Sequence, residues 1–302
     1  MLCFRLFSEN NPAAPLADAV AQLREGQAPK DLYAVEPASF QQIPNAPFAY
    51  WVSVRIRRLF VELPAFEDNG RTVKQGMATA NDDRFLRAWL EVPASNTLRT
   101  QLFEREELDV FKARCLSESF DGVKWYPFAK GGQYSPYYHD LPLVGNWERD
   151  GAEIRNFIDL DTGKVRSRPQ STGYYFEAGY TYPLRASRMC GQVLPAGSLI
   201  SVRGSGIYGD TSGTFLGLLN SKPFDGLIKM ILGRSGHPQF DMGDINATPV
   251  PEVSSGQSSR LGDRAKHSFL IKRRLDSSSL ASHAFFIPAI APKGFHKQSS
   301  HS

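Results

Sequence analysis

Basic and aromatic side chains alternate through residues 124–188, and this stretch limits most strongly what the chain can fold into. It holds nine Lys and Arg among a dense set of Tyr, Trp and Phe, and Gly-Gly, Ser-Pro and Arg-Pro pairs divide it into short segments. Short segments rich in aromatic and β-branched residues, bounded by turn residues, are typical of β-strands. The stretch therefore predicts a β-rich domain.

The aromatic rings of this stretch have two interpretations. Most of them could form the core of the β-rich domain, which composition alone favours. Alternatively, rings and cations together could form a surface for a polyanion with flat bases. Lys and Arg neutralise phosphates, the Arg fork matches the edge of guanine, and aromatic rings stack on bases.

Net charge does not decide between these interpretations. The 302 residues carry a formal charge of +4, but residues 253–302 contain eight Lys and Arg against two Asp. The preceding 252 residues hold 27 basic and 29 acidic groups, so the body of the chain is slightly acidic. A nucleic-acid interface must therefore depend on where the cations lie.

Six phrases, in this order along the chain, resemble the target recognition half of adenine-specific DNA methyltransferases. The family comprises the type IIG restriction-modification enzymes and the related BREX phage-defence methyltransferases, and the resemblance covers residues 29–252. Each phrase alone is moderately specific, whereas their order is strongly so. The phrases are PFAYWVS (47–53), QGMATANDDRFLR (75–87), KWYPFAKGGQYSPYY (124–138), NWERDGAEIRNF (146–157), RSRPQ (166–170) and LLNSKPF (218–224).

The resemblance implies an α+β fold, with a mixed β-rich target recognition domain, peripheral helices and a short helical connector in front. Residues 1–63 would be a remnant of, or connector to, the catalytic half, and residues 64–252 would be the recognition domain. Residues 253–302 are Ser-rich, basic and without hydrophobic period, so their composition predicts a disordered tail.

In the resembling enzymes the recognition half lies on the major groove, where the four base pairs present different hydrogen-bonding patterns. Residue type and loop placement give the candidate DNA contacts in this chain. Gly131 and Gly132 are included because glycine lets backbone come close to a phosphate. The candidates are Lys74, Asn81, Arg84, Lys130, Gly131, Gly132, Arg166, Arg168, Arg185 and Arg188.

The motifs that methyl transfer requires are missing from this sequence. Amino methyltransferases hold the flipped base with a short Pro-Pro-aromatic turn, which Asn45-Ala46-Pro47-Phe48 imitates only in part. No glycine loop for the methyl donor precedes that turn. We therefore predict no catalytic residue and no bound cofactor in this chain, and assign S-adenosylmethionine to the catalytic half of the resembling enzymes.

Residues 204–209 read Gly-Ser-Gly-Ile-Tyr-Gly, a literal match to a dinucleotide or S-adenosylmethionine loop. The match lacks an acidic residue at the end of a second strand, and several residues separate it from the next helix. A flexible turn is the favoured interpretation. The alternative function is an enzyme that binds a nucleotide or S-adenosylmethionine through this loop.

Cysteine spacing and hydropathy add two exclusions. Cys3, Cys115 and Cys190 are far apart, which argues against a disulfide framework or a zinc site. The sequence has neither a signal peptide nor an 18-residue apolar segment, so it predicts a soluble cytoplasmic protein without membrane contact. The favoured hypothesis is a DNA recognition module that binds duplex DNA and needs a separate methyltransferase half or other subunits of a defence system. A degenerate fragment without independent function is the third hypothesis.

Overall fold

A computed structural model describes residues 1–6, 11–68, 70–100, 107–210, 212–233 and 238–285. Within these residues the chain combines helices with small sheets, which confirms the predicted α+β class. No helix of this part of the chain is long and apolar enough to cross a membrane. The three cysteines are buried as free thiols.

Helices and short strands alternate along the described residues. The strands are β1 (Leu2–Phe4), β2 (Leu32–Ala34), β3 (Thr72–Lys74), β4 (Leu86–Ala88), β5 (Trp125–Ala129), β6 (Leu143–Asn146), β7 (Gly179–Thr181), β8 (Gln192–Leu194), β9 (Leu199–Ile200) and β10 (Gly206–Tyr208). The helices are α1 (Ala13–Arg24), α2 (Val54–Glu62), α3 (Asp82–Phe85), α4 (Leu108–Phe120), α5 (Glu148–Arg155), α6 (Thr214–Leu219), α7 (Lys222–Leu232), α8 (Met242–Asn246) and α9 (Ser255–Asp276).

Two four-stranded sheets form the centre of the fold. The first is antiparallel, in the order β3-β10-β7-β8. The second has the order β4-β6-β5-β9, and its last pair is parallel. Because these strands are only two to five residues long, side chains from helices and loops must complete both cores.

Each sheet has its own hydrophobic core. The second sheet packs on α4 and α5 around Tyr126, Trp147 and Tyr175, which are at most 1% exposed. The first sheet packs on α6 to α9, with Tyr182 and Phe240 among its buried residues. Most aromatic residues of 124–188 therefore serve the core, as composition favoured. The spacing of apolar residues predicts an amphipathic helix over residues 102–116 with Leu108, Phe111 and Cys115 on one face. In α4 Phe111 and Cys115 are buried and Leu108 is half-buried, whereas residues 102–106 lie outside the described residues.

The connector of residues 1–63 packs on α7, where Ile43, Ala49 and Val52 meet Ile231. Immediately after it, residues 64–66 run antiparallel to residues 248–250. Phe66 donates a backbone hydrogen bond to Thr248 at 2.9 Å, and Val250 donates one to Pro64 at 3.0 Å. The chain thus enters and leaves the predicted recognition domain at neighbouring points.

The prediction of a disordered tail is wrong for residues 255–276, which form the 22-residue helix α9. The serines that suggested disorder begin the helix, since the Ser254 hydroxyl accepts from the Gln257 amide in a capping box. Ala265 and Phe269 bury one face of the helix, and Gly262 meets the Ser212 carbonyl so closely that a Cβ would lie 2.4 Å from it. Residues 286–302 lie outside the described residues.

Two further local predictions are corrected. Residues 206–208, expected in a flexible turn, are the buried strand β10 between β3 and β7. The sequence RFLRAWLEVP (84–93) predicts a strand, but the strand extends only over Leu86–Ala88, because α3 precedes it and a 3₁₀ turn, Trp89–Glu91, follows it.

Candidate nucleic-acid interface

Residues 77–84 form the segment around which most of the candidate contacts lie. Met77 donates to the Ile200 carbonyl at 2.8 Å, and Ala78 exchanges two backbone hydrogen bonds with Arg168, at 2.9 and 3.0 Å. The candidate residue Asn81 caps α3, since its side-chain oxygen accepts the Arg84 amide at 3.0 Å. The segment is thereby fixed to β9 on one side and to the turn at residues 166–168 on the other.

Asp82 connects this segment with the loop that follows β5. Its carboxylate accepts hydrogen bonds from the Lys130 ammonium and the Thr79 hydroxyl. Burial raises the pKa of Asp82, but the two hydrogen bonds and the charges of Lys130 and Arg203 outweigh that effect and lower it. Asp82 is therefore ionised at neutral pH, and Lys130 is ion-paired rather than free.

The two candidate glycines accommodate close contacts within the protein. Gly131 and Gly132 have positive φ angles, 79° and 146°. A Cβ on Gly131 would lie 2.4 Å from the Arg203 carbonyl oxygen, and one on Gly132 would lie 2.5 Å from His139 Nε2. Tight packing of the loop therefore accounts for both glycines, and their approach to a phosphate stays a prediction.

Phe157 joins two of the candidate arginines. The guanidinium carbons of Arg84 and Arg166 lie 5.0 and 5.7 Å from the centre of its ring. Arg84 also pairs with Glu153 at 2.8 Å, and Arg166 with Asp159 at 3.9 Å. Both arginine side chains are nevertheless 50% exposed, so they present charge to solvent.

The Arg-Ser-Arg turn places its two cations outward for a physical reason. Ser167 is 1% exposed and its hydroxyl donates to the Ile154 carbonyl. Because successive side chains of an extended chain point to opposite sides, burial of Ser167 exposes its two neighbours. Arg168 is exposed, and no carboxylate among the described residues lies within ion-pair distance of it.

Arg203 also belongs to this site, although it was not among the candidate contacts predicted from the sequence. It is exposed and lines a cavity of about 270 Å³ together with Lys130, Asp82 and residues 77–80. A basic residue three positions after the strand Leu199–Ile200 was the available signal, but it adjoins the glycine motif, which was interpreted as a flexible turn. We call Arg84, Lys130, Arg166, Arg168 and Arg203 the cationic rim.

The other three candidate cations make different contacts. Lys74 is on β3, with its ammonium 5.2 Å from the centre of the Tyr174 ring. Arg185 donates to the Gln239 side chain at 3.0 Å. Arg188 pairs at 3.5 Å with Asp225 of α7, which also binds Lys229, so this arginine anchors a helix.

The Gly-Ser-Gly-Ile-Tyr-Gly motif does not form a phosphate-binding loop here. Ile207 and Tyr208 are buried, and β10 hydrogen-bonds with strands on both sides. Gly204 packs against the Gly131 nitrogen, where a Cβ would lie 2.4 Å away. The glycines of this motif therefore serve strand packing, which argues against the alternative function based on them.

Comparison with known proteins gives a distant relationship to methyltransferases. The chain is 26% identical over 233 residues to the adenine-specific methyltransferase PglX of Lacticaseibacillus casei (strain Zhang), covering 75% of this chain and 18% of that protein. It is 26% identical over 217 residues to the adenine-specific methyltransferase BrxX of Escherichia coli O9:H4 (strain HS), covering 70% of this chain and 15% of that protein. No protein-family model matches. The chain is thus a distant homologue of adenine-specific methyltransferases that spans less than a fifth of the length of these two relatives.

Proposed function

We propose that this chain is the DNA target recognition module of an adenine-specific methyltransferase of a restriction-modification or BREX phage-defence system. The observation that carries the proposal is that cations from three other stretches of sequence, at residues 130, 166–168 and 203, converge on residues 77–84, which carry Arg84. Side chains held on a packed scaffold can be offered together to one groove of a duplex. The distant homology to PglX and BrxX supports the same conclusion.

The chemistry of the cationic rim suits recognition of base edges as well as phosphates. Arginine donates in a bidentate manner to the O6 and N7 atoms of guanine, and carboxylates accept from the amino group of cytosine. Arg166 and Arg168 leave the same turn, and Glu153 lies beside Arg84. The rim therefore presents donors and acceptors of the kind that distinguish base pairs.

The ion pairs of the rim do not prevent binding to DNA. Exposed pairs contribute only about 0 to 1 kcal/mol to stability, so exchange of a carboxylate partner for a phosphate costs little. Arg84 and Arg166 keep half of their side-chain surface in solvent despite their partners. We expect these carboxylates to hold the arginines in place before binding and to release them when DNA is bound, so that Glu153 can accept a hydrogen bond from a base.

Methyl transfer itself, and S-adenosylmethionine binding, are assigned to a separate catalytic half. The partial Pro-Pro turn at residues 45–48 is engaged within this chain, since Asn45 donates to Asp244 at 3.2 Å. Phe48 packs against the rings of Phe40 and Tyr50, with centroids at 5.0 and 5.5 Å. These contacts support the inference that the turn does not hold a flipped adenine.

The direct test is repeated selection of duplexes from a randomised pool, followed by equilibrium binding of the selected and unselected DNA. We expect a selected sequence to bind more tightly than random duplex, and the Arg166→Ala, Arg168→Ala double variant to lose about 1 to 3 kcal/mol on that sequence. The control is Arg55→Ala, Arg58→Ala, which removes two exposed cations from α2. Failure to bind any duplex at about 50 mM salt, where phosphate contacts are strong, would refute the proposal.

A further inference from the structure

Helix α9 carries a row of exposed side chains on the face opposite its buried side. Gly262, Ala265 and Phe269 face the body of the protein and are buried. With 100° of rotation per residue, residues 260, 264, 267, 271 and 274 fall within about 80° on the other side of the helix. These residues are Arg260, Arg264, His267, Ile271 and Arg274, and all five are exposed.

The three arginines of this row differ from most of the cationic rim in having no acidic partner. No carboxylate among the described residues lies within ion-pair distance of Arg260, Arg264 or Arg274. Asp263, which adjoins Arg264 in sequence, instead accepts a hydrogen bond from the Ser259 hydroxyl, and Asp276 is the acidic residue nearest to Arg274. The row is therefore uncompensated positive charge on a helix that is fixed to the fold.

We propose that this face of α9, the arginine row, is a second DNA-binding surface that holds the phosphate backbone without regard to sequence. At about 1.5 Å per residue the outermost arginines are about 21 Å apart and the closest pair about 6 Å. Phosphates follow one another every ~3.4 Å along each strand of a duplex, so each arginine can meet a different phosphate. Arginine is the residue best matched to phosphate oxygens because its planar fork donates two parallel hydrogen bonds.

Charge complementarity favours DNA over an acidic protein surface. A protein-binding helix face is expected to centre on large apolar residues with cations at its edge. In α9 the exposed aliphatic residues Leu270, Ile271 and Leu275 all lie in the C-terminal half, so the face around Arg260 and Arg264 carries charge without a large apolar centre. This inference rests on the proposed function only in naming DNA as the polyanion. The contribution of the arginine row to binding is measurable on DNA that contains no recognition sequence.

The test is the salt dependence of binding to a labelled random-sequence duplex of about 30 base pairs, long enough for many overlapping sites. Each lost phosphate contact reduces the slope of log K against log salt by about 0.9, so Arg260→Gln, Arg264→Gln, Arg274→Gln should reduce it by about 2.7. We expect binding by this triple variant to weaken on the order of tenfold or more at about 50 mM salt. Glutamine keeps helix propensity, and far-UV circular dichroism checks that the helix persists.

Two further variants complete the experiment. Arg260→Lys, Arg264→Lys, Arg274→Lys keeps the charge and should retain most of the slope. Arg24→Gln, Arg55→Gln, Arg58→Gln removes three exposed charges from α1 and α2 and should leave the slope unchanged. The inference is overturned if the α9 glutamine variant binds like the unchanged protein, which would leave the row to solvent or to an acidic protein.

The inference is also overturned if the α9 glutamine variant and the α1 and α2 glutamine variant lose affinity equally, since net charge would then account for the effect. Failure of the unchanged protein to bind any random duplex would overturn it as well. These outcomes are separable from failure of the proposed function. Suppose that the α9 glutamine variant loses the salt dependence of binding and that the unchanged protein selects no DNA sequence. This inference would then stand, and target recognition by the cationic rim would be refuted.

Discussion

Replacement of Gly204 by Ala is expected to destabilise the protein, because this residue lies between two segments of the candidate interface. A Cβ at position 204 would lie 2.4 Å from the Gly131 nitrogen and 2.6 Å from the Ala129 carbonyl oxygen. These are backbone atoms, so the end of β5 that carries Lys130 and the turn that carries Arg203 would have to move apart. Overpacking of this kind costs about 1 to 3 kcal/mol of unfolding free energy.

Urea unfolding followed by tryptophan fluorescence measures this cost. With a slope of about 2 kcal/mol/M, Gly204→Ala should lower the unfolding midpoint by about 0.5 to 1.5 M. The control is Gly226→Ala within α7, where nothing lies within 4 Å of the added Cβ. Because Ala exceeds Gly in helix propensity by about 1 kcal/mol, this control should raise the midpoint. An unchanged midpoint for Gly204→Ala would refute the tight packing on which the arrangement of the rim depends.

Three further outcomes are expected. The Arg166→Ala, Arg168→Ala variant should weaken binding to a selected duplex by about 1 to 3 kcal/mol while leaving the urea midpoint unchanged, which separates recognition from folding. Phe269→Ala should cost about 3 to 5 kcal/mol of unfolding free energy and increase hydrogen exchange in α9, since this ring is 4% exposed and packs on the body; unchanged exchange would contradict the docking of the helix. Burial raises the pKa of Asp140, but the hydrogen bonds and charge of His283 lower it below its ordinary value. The stability that Asp140 contributes should therefore be present above about pH 4 and be lost as pH falls through its folded pKa. The unfolding free energies of Asp140→Asn and of the unchanged protein, measured as a function of pH, should therefore converge in acid.

Local pattern predicted those parts of the fold that depend on a few adjacent residues. The buried face of α4 followed from helical spacing. Proline bends or splits a helix, so Pro223 predicted the break in the apolar run of residues 215–232 where α6 ends and α7 begins. The outward turn at residues 166–168 was also recognisable, although its cause, the buried Ser167, was not. Contacts between distant residues were beyond such reasoning. Arg84 pairs with Glu153 across 69 residues and Lys130 with Asp82 across 48, and a single sequence carries no signal for either.

Composition misled where it was used instead of local chemistry. Serine content suggested disorder for residues 253–302, which include α9. Ser254 and Gln257 are nevertheless three residues apart, which is the spacing of a capping box. Glycine content suggested a loop at residues 204–209, yet Ile207 and Tyr208 are residues that favour a strand. In both places the local residues, not the overall composition, determine the structure. The resulting helix and strand change which surfaces are available for the proposed DNA contacts.

The antiparallel pairing of residues 64–66 with residues 248–250 has a consequence for how specificity could change. Since these two segments are hydrogen-bonded neighbours, a unit exchanged between them needs the same end-to-end separation and must also keep the α7 surface on which Ile43, Ala49 and Val52 pack. Recombination within these two segments would transfer the whole proposed recognition domain as one unit. The exchange would also have to keep the close approach of α9 to the exchanged unit, where a Cβ on Gly262 would lie 2.4 Å from the Ser212 carbonyl oxygen.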